Sequence, residues 1–92
     1  MNTKEKEVLD ILQEECAEVI QAVSKIRRFG ISNLKPGKPK TNLEHLEEEL
    51  GDMLAMIDIM LELELVSINN LEIAKQAKIE KLKQWSNIYI PL

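Results

Sequence analysis

The run Thr41-Asn42-Leu43-Glu44-His45-Leu46-Glu47-Glu48-Glu49-Leu50-Gly51-Asp52-Met53-Leu54, continued to Leu65, decides the fold. Thr41 with Glu44 three positions on has the spacing of a capping box and opens a helix. Two apolar stripes then run along it. Leu43, Leu46, Leu50, Met53, Leu54, Ile57 and Leu61 form one; Met56, Ile59, Met60 and Leu63 form the other. A helix that packs on a single neighbour needs only one such stripe, so this helix is expected to be covered on two sides. With only two other helices in the chain, one side is expected to meet another subunit, and a symmetric dimer is the commonest solution.

Outward from that helix, the other two follow from caps and breakers. Asn2 with Glu5 resembles a second capping box, and Val8, Ile11, Leu12, Val19, Val23 and Ile26 recur at helical spacing after it. Gly30 supplies a stop. Pro36-Gly37 and Pro39 then forbid regular structure until Thr41. Asn69 with Glu72 marks a third start, and Leu71, Ala74, Leu82 and Trp85 give the third helix its apolar stripe. The spacing therefore predicts an all-α, three-helix protomer with helices at about 3–28, 42–65 and 69–85, forming a helical bundle with a partner subunit. One domain is expected over residues 1–92, with a basic loop at 29–41 and an irregular tail at 86–92. A loop of that length in a small domain is usually functional or disordered, and its lysines favour function.

Composition narrows the partners. Twelve Lys plus Arg against 16 Asp plus Glu leave a net charge of −4 over 92 residues, which gives no support to nucleic-acid or membrane-surface binding. The longest apolar run, Met53 to Leu61, is broken by Asp58 and is far shorter than the ~20 residues of a membrane span. Cys16 has no second cysteine to pair with, and no apolar signal-peptide core follows the N-terminus, so a reducing cytoplasm is expected. Charge is nevertheless segregated. Lys25, Arg27, Arg28, Lys35, Lys38 and Lys40 crowd the middle of the chain and Glu44, Glu47, Glu48, Glu49 and Asp52 follow directly, a layout suited to an anion held through a metal.

Two pairs of carboxylates carry the chemistry. Glu15 and Glu18 share one helix face and Glu49 and Asp52 share another, each at i, i+3. Glu15 falls in the middle of the first helix's apolar stripe, where an unpaired charge costs several kcal/mol or changes its protonation, so it calls for a cation. Glu18 sits at the edge of that stripe, and Glu14 points toward solvent. A lone pair of acids at this spacing is usually a solvated face. Here both pairs turn inward from different helices, with a basic loop between them. Such a set can hold Mg²⁺, or Mn²⁺, through oxygens, while water and phosphate oxygens complete the shell. Lys78 lies within the third stripe, flanked by Lys75 and Lys81. It either snorkels to water or contacts a phosphate. His45, just after a helix cap, reads as a surface or outer residue and not as a ligand.

At these residues the chain resembles the MazG-like family of all-α nucleoside triphosphate pyrophosphohydrolases, whose motif is ExxE followed after a spacer by ExxD. Glu15-Glu18 and Glu49-Asp52 match it, and Glu48-Glu49-Leu50-Gly51-Asp52 is a typical wording of the second half. Phe29-Gly30 and Pro36-Gly37-Lys38-Pro39-x-Thr41-Asn42 look like segments of small bacterial or phage members. Where the family often has Asn-x-Lys-aromatic-x-Arg, this chain has Gln76, Lys78, Ile79 and Lys81. The resemblance implies hydrolysis of a nucleoside triphosphate to the monophosphate and pyrophosphate, in nucleotide-pool cleaning. It implies Glu15, Glu18, Glu49 and Asp52 as Mg²⁺ ligands, Glu15 or Glu18 as the base, Arg28, Lys78 and Lys81 on the phosphates, and Phe29 and Asn42 on the nucleobase. It also implies a homodimer or homotetramer.

The same residues bear on two other classes. A non-catalytic nucleotide-binding or regulatory helical oligomer would not need complete carboxylate pairs. A di-iron bundle wants Glu-x-x-His ligand pairs, and His45, the sole histidine, has Asn42 three residues before it.

Overall fold

In the computed structural model, described for residues 1–34 and 36–91, the chain is all-helical with no strand among the described residues. Lys35, counted above in the basic cluster, and Leu92 lie outside the described residues. Three helices follow in order: α1 (Thr3–Phe29), α2 (Asn42–Glu62) and α3 (Ile68–Trp85). No helix among the described residues is long and apolar enough to cross a membrane.

Each start is fixed by a side-chain cap. The Asn2 side chain accepts from the Glu5 amide at 2.8 Å. Thr41 and Glu44 close a reciprocal box, the Glu44 amide donating to Thr41 Oγ1 at 3.1 Å and the Thr41 amide to Glu44 Oε1 at 3.0 Å. Each cap relieves a backbone N–H that the first turn would otherwise leave unpaired, and only Thr41–Glu44 is a reciprocal box, the Asn2–Glu5 pair showing the Asn2 half alone. The cap of α3 is Ser67, which accepts from the Asn70 amide at 3.3 Å, two residues before the expected Asn69. Gly30, at φ 95°, stops α1 as expected, in a region where an L side chain is strained. The expected end of α2 at Leu65 is corrected to Glu62. There Glu64 takes a left-handed conformation (φ 56°), and the Leu65 amide reaches back to the Met60 carbonyl at 2.9 Å, closing the last turn.

α1 and α2 form an antiparallel hairpin, and its layers can be read along the chain. The apolar layer lies at one end, where Val8 meets Met56 and Met60, with Ile11, Leu12, Leu65 and Val66 packed against it. The connection lies at the other end, where the Asn42 side chain donates to the Gly30 carbonyl at 2.9 Å and the Leu43 amide to the Ile31 carbonyl at 3.0 Å. Ala22 is fully buried toward that end. Between the two layers stand Glu15 on α1 and Glu49 on α2. The carboxylates thus occupy the middle of the helix pair.

α3 departs from this hairpin and makes only marginal contact with it. Leu71, Ile79 and Leu82 are half-buried, whereas Ala74 is exposed and Trp85 is 78 % exposed. The expected stripe through Ala74 and Trp85 is therefore not covered within one chain, and Lys78 is exposed instead of inward-facing. The shape follows from this: extents of 42 × 38 × 15 Å and a radius of gyration of 16.4 Å, against about 12 Å for a compact chain of this length.

Candidate metal centre

Glu15 reaches the interior because it occupies the stripe of Val8, Ile11, Leu12, Val19 and Ala22, all half-buried or buried. Glu49 arrives from α2 and is the one buried charged side chain among the described residues, 8 % exposed. Asp52, one turn further on, is exposed yet turned to the same point. One carboxylate oxygen from each of Glu15, Glu49 and Asp52 lies within 4.8 Å of the others. Glu18 is exposed and falls outside that group, although its charge is felt by Glu15.

The electrostatics call for a cation. Partial desolvation pushes the Glu15 carboxyl above its ordinary value, and the charges of Asp52, Glu49, Glu18 and Glu14 raise it further, in that order. Among the described residues no Lys or Arg pairs with any of the three clustered acids; the four ion pairs lie elsewhere or involve His45. The donor set fits a hard divalent ion. Around Mg²⁺ at 2.0–2.1 Å, neighbouring oxygens stand about 3 Å apart, so ligand atoms that lie within 4.8 Å of one another close on an ion by drawing together by up to about 2 Å through side-chain rotation.

Next to the acids is their chemical opposite. A depression of about 400 Å³ at the start of α2 is lined by Lys25, Lys38, Lys40, Asn42 and His45, among others. Lys40 is paired with Glu48. His45 Nε2 stands 3.2 Å from Glu49 Oε1, so this side chain belongs to both the depression and the acidic cluster. Sequence spacing gives His45 as a surface or outer residue and not as a ligand, and does not by itself connect it to Glu49. The pointer available was its i, i+4 relation to Glu49 on one helix face.

The remaining candidates are more scattered. The Arg28 guanidinium lies over the Phe29 ring, 4.9 Å from its centroid, at the end of α1. Asn42 uses its amide nitrogen to hold Gly30. On α3, Lys75 pairs with Glu72 and Lys83 with Glu80, whereas Lys78 and Lys81 carry no ion pair among the described residues.

A helical hairpin with three convergent carboxylates at its centre defines the class, an all-α protein with an acidic site able to hold a metal. The family profile described as the MazG nucleotide pyrophosphohydrolase domain matches residues 3–85, so the chain belongs to that family. No curated protein and no solved structure matches it.

Proposed function

We propose that this protein hydrolyses a nucleoside triphosphate between the α and β phosphates, releasing the monophosphate and pyrophosphate, and so serves in nucleotide-pool cleaning in the cytoplasm. The observation that carries this is the convergence of Glu15, Glu49 and Asp52 within a chain of the pyrophosphohydrolase family. When bound there, Mg²⁺, or Mn²⁺ in its place, would neutralise phosphate oxygens and acidify water.

The chain's own residues supply the rest. Glu49 and Asp52 hold the ion from α2 and Glu15 from α1, with Glu18 completing the set by a side-chain rotation. Glu15 or Glu18 accepts the proton of the attacking water through a carboxylate oxygen not used on the ion. The depression lined by Lys25, Lys38 and Lys40 supports a polyanionic substrate. Arg28 from α1, with Lys78 and Lys81 from α3, meets the phosphates once α3 is seated in an assembly. Phe29 and Asn42 contact the nucleobase in this reading, Asn42 through the part of its amide not given to Gly30.

A homodimer is the smallest assembly proposed, and a tetramer of two dimers is its extension. The accessible surface supports this. A 10.6 kDa globular monomer is expected to expose about 5,500 Å², and this chain exposes 7579 Å².

The test is pyrophosphate release from a panel of nucleoside triphosphates, with Mg²⁺ and with chelator, for the wild type and Glu49→Gln. Metal-dependent release that falls by about 10²-fold or more in the variant is expected. Absence of release from every nucleotide would replace the enzyme with a nucleotide-binding helical oligomer.

A further inference from the structure

We propose that His45 is a positioning residue for the metal centre, its Nε2–H holding the Glu49 carboxylate in the rotamer that faces Glu15 and Asp52. The inference rests on the acidic cluster being a cation site, as above. It begins from a need. Glu49 is buried, and among the described residues no lysine, arginine or backbone amide reaches its carboxylate. A buried carboxylate without a donor is poorly oriented and costly to keep charged.

His45 is placed to meet that need: its Nε2 stands 3.2 Å from Glu49 Oε1 across one helical turn, a distance at which a small rotation of the imidazole aligns its N–H with the carboxylate. A carboxylate has about four lone-pair directions on its two oxygens, so one can face the imidazole while others face the ion. The residue type also matters. A neutral imidazole still donates one N–H, whereas a lysine there would cancel the charge that attracts the cation.

The backbone under His45 is tied down. Its amide donates to the Thr41 carbonyl at 3.0 Å, in the turn that the Thr41–Glu44 box closes. The same turn is tied to the end of α1 through Asn42 to Gly30 and Leu43 to Ile31. An orienting partner on a fixed turn transmits little slack to the ligand. Outer partners of this kind are typically worth 10–100-fold in metal affinity.

The experiment is isothermal titration calorimetry of Mn²⁺ into nucleotide-free protein, comparing the wild type with His45→Leu and His45→Gln, with helicity and thermal midpoint measured in chelator. His45→Leu is expected to bind Mn²⁺ roughly 10-fold or more weakly at unchanged helicity. His45→Gln, whose amide nitrogen reaches a similar point, is expected to retain most of the wild-type affinity. If the leucine variant does not fold, His45→Ala takes its place with the same expectation. Wild-type affinity in the leucine or alanine variant overturns the proposal, as does a glutamine variant as weak as leucine. A wild type that binds no Mn²⁺ removes the metal centre itself, a separate and distinguishable failure.

Discussion

Glu15 shows how one residue can be set against the stability of its own chain. Its carboxyl is raised by partial desolvation and by the neighbouring acids, so the folded state holds this proton more tightly than the unfolded state does. For a raised carboxyl the associated stability is fully present below the ordinary carboxylate value and is lost as pH rises through the raised folded value. Metal-free protein therefore carries an unfavourable charge at neutral pH. Glu15→Gln is expected to raise the thermal midpoint in chelator, to abolish Mg²⁺-dependent turnover, and to fall below the wild type once saturating Mn²⁺ is added. Circular dichroism melts in the two buffers check the reversal, and Glu14→Gln, which removes only the weakest of the neighbouring charges, should do little. Mn²⁺ affinity should also weaken as pH is lowered toward the carboxylate range, because protons compete for Glu15. The inward position of this residue was legible because helical spacing sets it in the middle of an apolar stripe. The separation of Glu18 from the other three acids was not, since i, i+3 spacing fixes a shared face and leaves side-chain direction open.

At the scale of the element, α2 depends on its first turn, which carries both the capping box and His45. Thr41→Ala removes an accepted hydrogen bond and is expected to cost about 1 kcal/mol, read as a lower urea midpoint at unchanged slope. Glu44 adds a pH signature. The Thr41 backbone and side-chain hydrogen bonds hold its carboxyl below the ordinary value, so its contribution persists above that range and is lost as pH falls through the lowered folded value. Boundaries marked by Asn2, Thr41 and Gly30 were readable because those residue types have local reasons to sit at caps and stops. The end of α2 was not, because Glu64 adopts a left-handed conformation that glycine usually signals. The stripe of α3 misled for a different cause. Periodicity identifies an apolar face, but whether the cover comes from the same chain lies outside it, and Trp85 is left in the open.

The molecule as a whole is a thin plate with too much apolar surface for a chain of 92 residues. Leu54 is 57 % exposed on the first α2 stripe, where Leu43 and Leu50 are exposed as well, although Leu46, Met53, Ile57 and Leu61 of the same stripe are half-buried. The surface beyond that of a compact monomer is about 2,000 Å², comparable to one partner's share of a large permanent interface. In the proposed assembly this stripe lies against a second copy. Leu54→Lys is then expected to shift sedimentation equilibrium at micromolar concentration from dimer or tetramer toward monomer, with helicity partly lost. A wild type that sediments as a monomer would sink the two-sided account of α2.

The placement of the acids has a further consequence. They stand between the Val8–Met56–Met60 layer and the buried Ala22, where a helical hairpin of this size would ordinarily keep leucines. A cation seated there is therefore also a fastener, and the solution decides how often it is closed. By mass action, free ion at 100 times its dissociation constant adds about 2.7 kcal/mol to the folded state. If the acids hold a cation as proposed, a shortage of divalent ions would loosen the protein and couple its lifetime against proteolysis to the supply of metal.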